Sequence, residues 1–271
     1  MFHHCNDART DRRGLTFVEL IVSMSLMIVL VGMLDTLASA VHAAYEYNEG
    51  QSLAIQNARV ILDRITRTAS QAMANEQFPG FIVLSTQVGS WQYPDTLVIW
   101  HPTGTAVYPT GLPQYNELVI YCPSPSNPNH LLEVTAPGNT GVAPPVSNAT
   151  SWATQIAAIV ASKTSTTVVL TSFLRSCPVA TGSSTWRGDV RFVTRLLPSA
   201  SQWSQYQAGT LTWTQLSWAQ GIRGSQTALR QVWLRMEVEL MPGPGILGQQ
   251  AATEVAVPFL GSAALYYEMH R

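Results

Sequence analysis

The stretch Arg12-Arg13-Gly14-Leu15-Thr16-Phe17-Val18-Glu19-Leu20-Ile21-Val22 decides how the rest of the chain is read. It opens a run in which Leu20 to Leu34 carries no charge and Leu15 to Leu34 carries only Glu19. Twenty helical residues span about 30 Å, the thickness of a hydrocarbon core. Arg9, Arg12 and Arg13 precede the run; Asp35, Glu46 and Glu49 follow it, and no Lys or Arg appears before Arg59. That asymmetry predicts a cytoplasmic N-terminus with the bulk of the chain across the membrane. A charged residue deep in a membrane helix costs about 2.5–3.5 kcal/mol on insertion scales, so Glu19 needs a partner or a role. Cleavage between Gly14 and Leu15 would create an α-amino group, with a reference pKa of about 8, roughly one turn from Glu19. Between staggered helices, Glu19 of one subunit would neutralise the amine of the next and set the register of an assembly.

Gly14-Leu15-Thr16-Phe17-Val18-Glu19-Leu20 resembles the class III signal of type IV pilins and type II secretion pseudopilins. In that family a basic leader ends in Gly, and Glu stands at the fifth mature position. The resemblance implies cleavage after Gly14 by a prepilin peptidase, N-methylation of Leu15, and Glu19 as the assembly carboxylate. Arg12 and Arg13 would hold the leader at the cytoplasmic face. Here Leu15 occupies the first mature position where the family usually has Phe, and the aromatic residue comes two places later, at Phe17. Residues 56–67, Gln56-Asn57-Ala58-Arg59-Val60-Ile61-Leu62-Asp63-Arg64-Ile65-Thr66-Arg67, are similar to the post-membrane helix of J-type minor pseudopilins and W-type minor pilins. The head is large for a major subunit, and Glu19 separates the chain from the K-type, which usually lacks that residue. The implied function is that of a non-catalytic minor subunit of a secretion pseudopilus or type IV pilus, acting in tip-complex assembly. Its implied partners are the prepilin peptidase, other minor and major pseudopilins or pilins, and membrane lipid. The implied location is the bacterial inner membrane, with a periplasmic head that later enters the filament.

Two other readings of the same segment compete. Arg12-Arg13 before an apolar run also fits a twin-arginine signal, and Ala38-Ser39-Ala40 fits an ordinary signal-peptidase site. Cleavage after Ala40 would release an exported periplasmic enzyme or carbohydrate-binding protein and would leave Glu19 without a purpose. An uncleaved membrane anchor is the third reading.

Beyond the apolar run, Ala58, Ile61, Leu62, Ile65, Ala69, Ala72 and Met73 recur at helical spacing, with Arg59, Asp63, Arg64 and Arg67 off that stripe. No Pro interrupts 15–77, Gly50 is a potential kink, and Phe78-Pro79-Gly80 is the expected stop. From Phe81 the period changes to that of strands, predicted over 81–88, 96–100, 117–122, 131–135, 166–174, 190–196, 232–240 and 255–259. The clearest is 232–240, where Val232, Leu234, Met236, Val238 and Leu240 alternate with Trp233, Arg235, Glu237 and Glu239. A short helix is expected over 151–162. The fold class expected is α+β: a long N-terminal helix on a β-rich, mainly antiparallel head. The expected organisation is a leader over 1–14, a membrane helix over 15–34, its amphipathic continuation over 35–77, and the head over 78–271.

Charged residues make up 11% of the chain, less than half the roughly 25% of an ordinary domain, and Lys163 is the single lysine. No basic stripe is available to neutralise phosphates, which argues against nucleic acid as a partner. The three cysteines, Cys5, Cys122 and Cys177, lack zinc spacing. Cys122 and Cys177 could bond in an oxidising compartment or remain two thiols. No paired His motif, nucleophile elbow, phosphate loop or calcium loop is present, so no cofactor, metal or enzymatic activity is expected. Trp203, Tyr206, Trp213 and Trp218 concentrate aromatic surface, for which packing is the first explanation and a sugar or partner patch the second. Asn148-Ala149-Thr150 matches a glycosylation sequon.

Overall fold

The computed structural model describes residues 16–179, 185–241 and 256–271. The chain forms two compact units, Met1–Asn48 and Glu49–Arg271. Helix α1 (Phe17–Ser70) begins in the first and ends in the second. Its hydrogen-bonded course passes unbroken through Gly50.

In the first unit every described side chain is exposed, and the helix is long and apolar enough to cross a membrane. Several of its Ser and Thr hydroxyls turn back onto the helix. Ser25 Oγ donates to the Val22 carbonyl at 2.9 Å, Thr36 Oγ1 to Met33 at 2.8 Å and Ser39 Oγ to Asp35 at 2.9 Å. Hydroxyls satisfied within one helix suit a medium with no water to offer.

The second unit is layered. Strands β1 (Phe81–Val88), β2 (Trp91–Trp100), β3 (Leu118–Pro123), β4 (Leu131–Thr135) and β5 (Thr166–Thr171) form an antiparallel sheet in chain order. Leu97, Val98, Ile99 and Trp100 are all buried, because this sheet is covered on both faces at its centre. On one side lies helix α2 (Ala149–Ala161), which packs Trp152, Ile156 and Ile159 with Phe78, Val98, Trp100 and Ile120. On the other, Leu97, Ile99 and Tyr121 meet the stripe Ala54, Ala58, Ile61, Ile65 and Ala69 of α1. Arg64 adds a two-pronged bond to Glu133, at 2.6 and 2.7 Å, and Thr68 meets the Tyr121 hydroxyl at 3.0 Å.

The helix stops at Ser70, earlier than Phe78-Pro79-Gly80 suggested. The Met73 amide is taken by the Trp100 carbonyl at 2.9 Å, and the Asn75 side chain accepts from the Gln77 and Phe78 amides at 2.8 Å each. Docking onto β2 replaces the next helical turn.

Hairpin β6 (Ser176–Pro178) and β7 (Trp186–Gly188) precedes a second antiparallel sheet. That sheet is ordered β10-β9-β8, with β8 (Val190–Leu197), β9 (Thr227–Leu240) and β10 (Val257–His270). Val232, Leu234, Met236, Val238 and Leu240 are buried, as their alternation predicts. β10 runs far beyond the predicted 255–259. Its inward positions include Gly261 and Ala263, and a Cβ on Gly261 would come within 3.0 Å of Leu62. Small residues there let α1 approach closely, and they interrupt the apolar pattern by which a strand is recognised.

Helix α3 (Ala200–Gln207) is capped by Ser199 and Gln202 in reciprocal bonds of 3.2 and 3.1 Å. It belongs to the 199–226 excursion that carries the aromatic cluster. Trp213 and Trp218 are buried, their rings 4.5 Å apart, and their indole N–H groups donate to Gly224 and Trp213 carbonyls at 3.0 and 2.9 Å. Packing accounts for these aromatics. Arg230 lies on the buried face of β9, 5.4 Å from the Trp203 ring.

Candidate functional site

Arg12, Arg13, Gly14 and Leu15 lie outside the described residues. Glu19 is described, and it is placed by its own helix. Glu19 Oε2 accepts from the Thr16 amide and from Thr16 Oγ1, both at 2.9 Å, while Thr16 Oγ1 accepts from the Glu19 amide at 3.3 Å. This is a capping box, with Thr16 before the first turn and Glu19 three residues on. The Thr16-Phe17-Val18-Glu19 spacing carries that signal in the sequence, where the carboxylate otherwise reads only as an intersubunit group. The Glu19 carboxylate therefore sits at the N-terminal end of α1, held toward the backbone of the residue that follows Leu15.

The second concentration of chemistry is in the head, at the β6–β7 hairpin. Arg187 Nη2 donates to Asp95 Oδ2 at 2.6 Å, with both side chains largely buried, and its Cζ lies 3.6 Å above the Tyr93 ring. Thr86 Oγ1 and Thr96 Oγ1 donate to Asp95 Oδ1 at 2.9 and 3.2 Å. Burial pulls the guanidinium pKa down and the Asp95 charge opposes the shift. Such a pair is neutral, rigid and costly to break from one side. Gly188 permits the hairpin's position, since a Cβ there would meet the Pro128 carbonyl at 2.5 Å.

Cys122 and Cys177 do not form the bridge considered from sequence; each is a free thiol. Burial pushes the Cys122 thiol up to about 12, so it acts as a small apolar group. The Cys177 sulfur faces Asp189 Oδ2 at 3.9 Å. Asp189 is half-buried, and burial, then the neighbouring Glu239 carboxylate, raises its pKa against the opposing Arg175 and Arg187. A raised folded-state pKa means that ionisation weakens the fold as pH rises through that value. Asp189→Asn is expected to raise Tm at pH 7, with the gain vanishing below about pH 3.9. Thermal unfolding at both pH values checks this; an equal loss at both would show that the carboxylate is needed for its bonds.

Glu237 and Glu239 are partly exposed on the outer face of β9, and Glu239 accepts from Arg175 at 2.5 Å. Asn148 of the sequon caps α2, accepting from the Ser151 amide at 3.2 Å. Among the described residues no group of three or more His, Cys, Asp and Glu side chains could hold a metal ion. Comparison with protein-family models, curated proteins and solved structures finds no match.

Proposed function

We propose that this chain is a non-catalytic minor subunit of a pilin-like filament, a secretion pseudopilus or a type IV pilus. The observation that carries the reading is a carboxylate at the start of a long apolar helix, one turn beyond a basic leader ending in Gly14. The helix leads into a β-rich head. In this reading a prepilin peptidase cuts after Gly14 and the new Leu15 terminus is methylated. The apolar half of α1 then leaves the lipid for a helical bundle, where Glu19 meets the terminal amine of a neighbour. The capping box holds the carboxylate at the N-terminal end of its own helix, the end at which such an assembly would join neighbours. The large head would contact other minor subunits at the tip.

Intact mass and N-terminal sequencing of the membrane-extracted protein test the reading, in cells that contain a prepilin peptidase. A chain beginning at Leu15 with one added methyl group is expected. A start at Val41, or retention of the residues before Leu15, overturns it.

A further inference from the structure

Asn148-Ala149-Thr150 is the one Asn-x-Ser/Thr sequon of the chain, and the proposed assembly makes no use of it. Such a match gains meaning when the folded protein presents it at an accessible surface segment. Residues 145–150 are all exposed, and the helix they lead into buries its first side chain only at Trp152. Asn148 is the N-cap of α2 and keeps a non-helical backbone, with φ −93° and ψ 70°. Its Oδ1 accepts from the Ser151 amide at 3.2 Å, which turns the carboxamide oxygen toward the helix and leaves Nδ2 out of that bond. Among the described residues Nδ2 donates to no protein atom, and the Thr150 hydroxyl has no hydrogen-bond partner.

We infer that Asn148 is an N-glycosylation site whose Nδ2 carries an oligosaccharide taken from a polyprenyl-diphosphate-linked donor. In the transfer Nδ2 bonds to the anomeric carbon of the sugar and gives up one proton. The bond from that carbon to the diphosphate oxygen breaks, and its electron pair leaves on the diphosphate. Three features of the fold suit the product. The first is the cap: glycosylation replaces one Nδ2 hydrogen and leaves Oδ1 free to accept from Ser151, so α2 keeps its N-terminal bond. The second is access. A transferase takes its sequon extended, and Ala149 and Thr150 stand in the first turn of α2. Opening that turn exposes no buried side chain, since both residues are already exposed and the packed part of the helix starts at Trp152. The third is the surrounding surface. No residue between Glu133 and Lys163 carries a charge, and Val142 and Val146 are exposed there. A bulky hydrophilic glycan would cover this uncharged surface and keep it from self-association. The donor class places the reaction on the far side of the membrane. The inference therefore rests on the export of the head that the proposed function includes, and not on the filament.

The test uses the full chain purified from the membranes of its own host. Mass spectrometry reads the proteolytic fragment that spans residue 148, and N-terminal sequencing of the same sample reads the processing. A fragment heavier than its polypeptide by at least one hexose is expected. Asn148→Asp removes the acceptor amide and keeps a capping oxygen, so the excess should vanish while thermal unfolding stays near that of the parent. Thr150→Val should abolish the excess as well, and Thr150→Ser, which keeps the hydroxyl, should retain it. An unmodified fragment from the parent chain overturns the inference. So does an excess on this fragment that survives Asn148→Asp or Thr150→Val. A chain that starts at Leu15 with an unmodified fragment overturns the glycan and leaves the filament reading standing. A glycan on a chain that starts at Val41 does the reverse.

Discussion

Glu19→Gln should leave α1 folded and inserted in the membrane but abolish the chain's incorporation into filaments. Gln serves at the third position of a capping box as Glu does, so its side-chain oxygen can still accept from the Thr16 amide. What disappears is the negative charge. Under the proposed function that charge neutralises the α-amino group of a neighbouring subunit, a cation that would otherwise be carried unpaired into an apolar bundle. Thr16→Val makes the opposite change. It removes the hydroxyl of the cap, at about 0.5–2 kcal/mol, and keeps the carboxylate; incorporation should fall much less. Helicity by circular dichroism, membrane fractionation and the amount of chain in sheared filaments read the three quantities separately. If Glu19→Gln enters filaments as well as the parent, the carboxylate is only a helix cap and the assembly role is wrong.

Glu117→Leu should destabilise the head more than any surface substitution, by about 3–5 kcal/mol. Glu117 is buried and closes a single turn of 3₁₀ helix, Tyr115–Glu117. Its Oε2 accepts from the Trp100 indole at 3.1 Å and from the Gln114 amide at 3.0 Å, and its Oε1 from the Val107 amide at 2.7 Å. Leucine has a similar volume and no acceptor, so three donors would lose their partner in one step. Trp100 lies at the centre of the α2 core, its ring edge-on to Phe78 at 5.9 Å, so the loss cannot be relieved by opening that site to water. A fall in Tm of about 10 °C or more is expected for a chain of this size. Glu117→Gln keeps part of the acceptor set and should cost less. A Tm for Glu117→Leu within 2 °C or so of the parent would mean that the three donors find other acceptors.

Local periodicity made much of this protein legible from its residues. The apolar run after Gly14, the stripe from Ala58 to Ala69 and the alternation of Val232 to Leu240 each report a burial pattern that one helix or one strand imposes on its own sequence. The capping box was present in the spacing of Thr16 and Glu19.

The tertiary structure decided what depends on distant partners. Trp186-Arg187-Gly188 is too short to show a period, and its place is set by Asp95, Tyr93 and the Pro128 carbonyl. The length of β10 follows from fourteen matched positions with β9, and Gly261 is tolerated there because Leu62 of α1 lies over it. Arg230 is buried by the excursion that brings Trp203 to it. Cys122 and Cys177 remain apart because one enters the α2 core and the other the hairpin. One cavity of the head takes its lining from β1, β2, β3, α2 and the β6–β7 hairpin together. A sequence records each residue's own preference for burial and backbone shape; which preferences meet across space is set by sheet order and packing, and only the folded chain displays it.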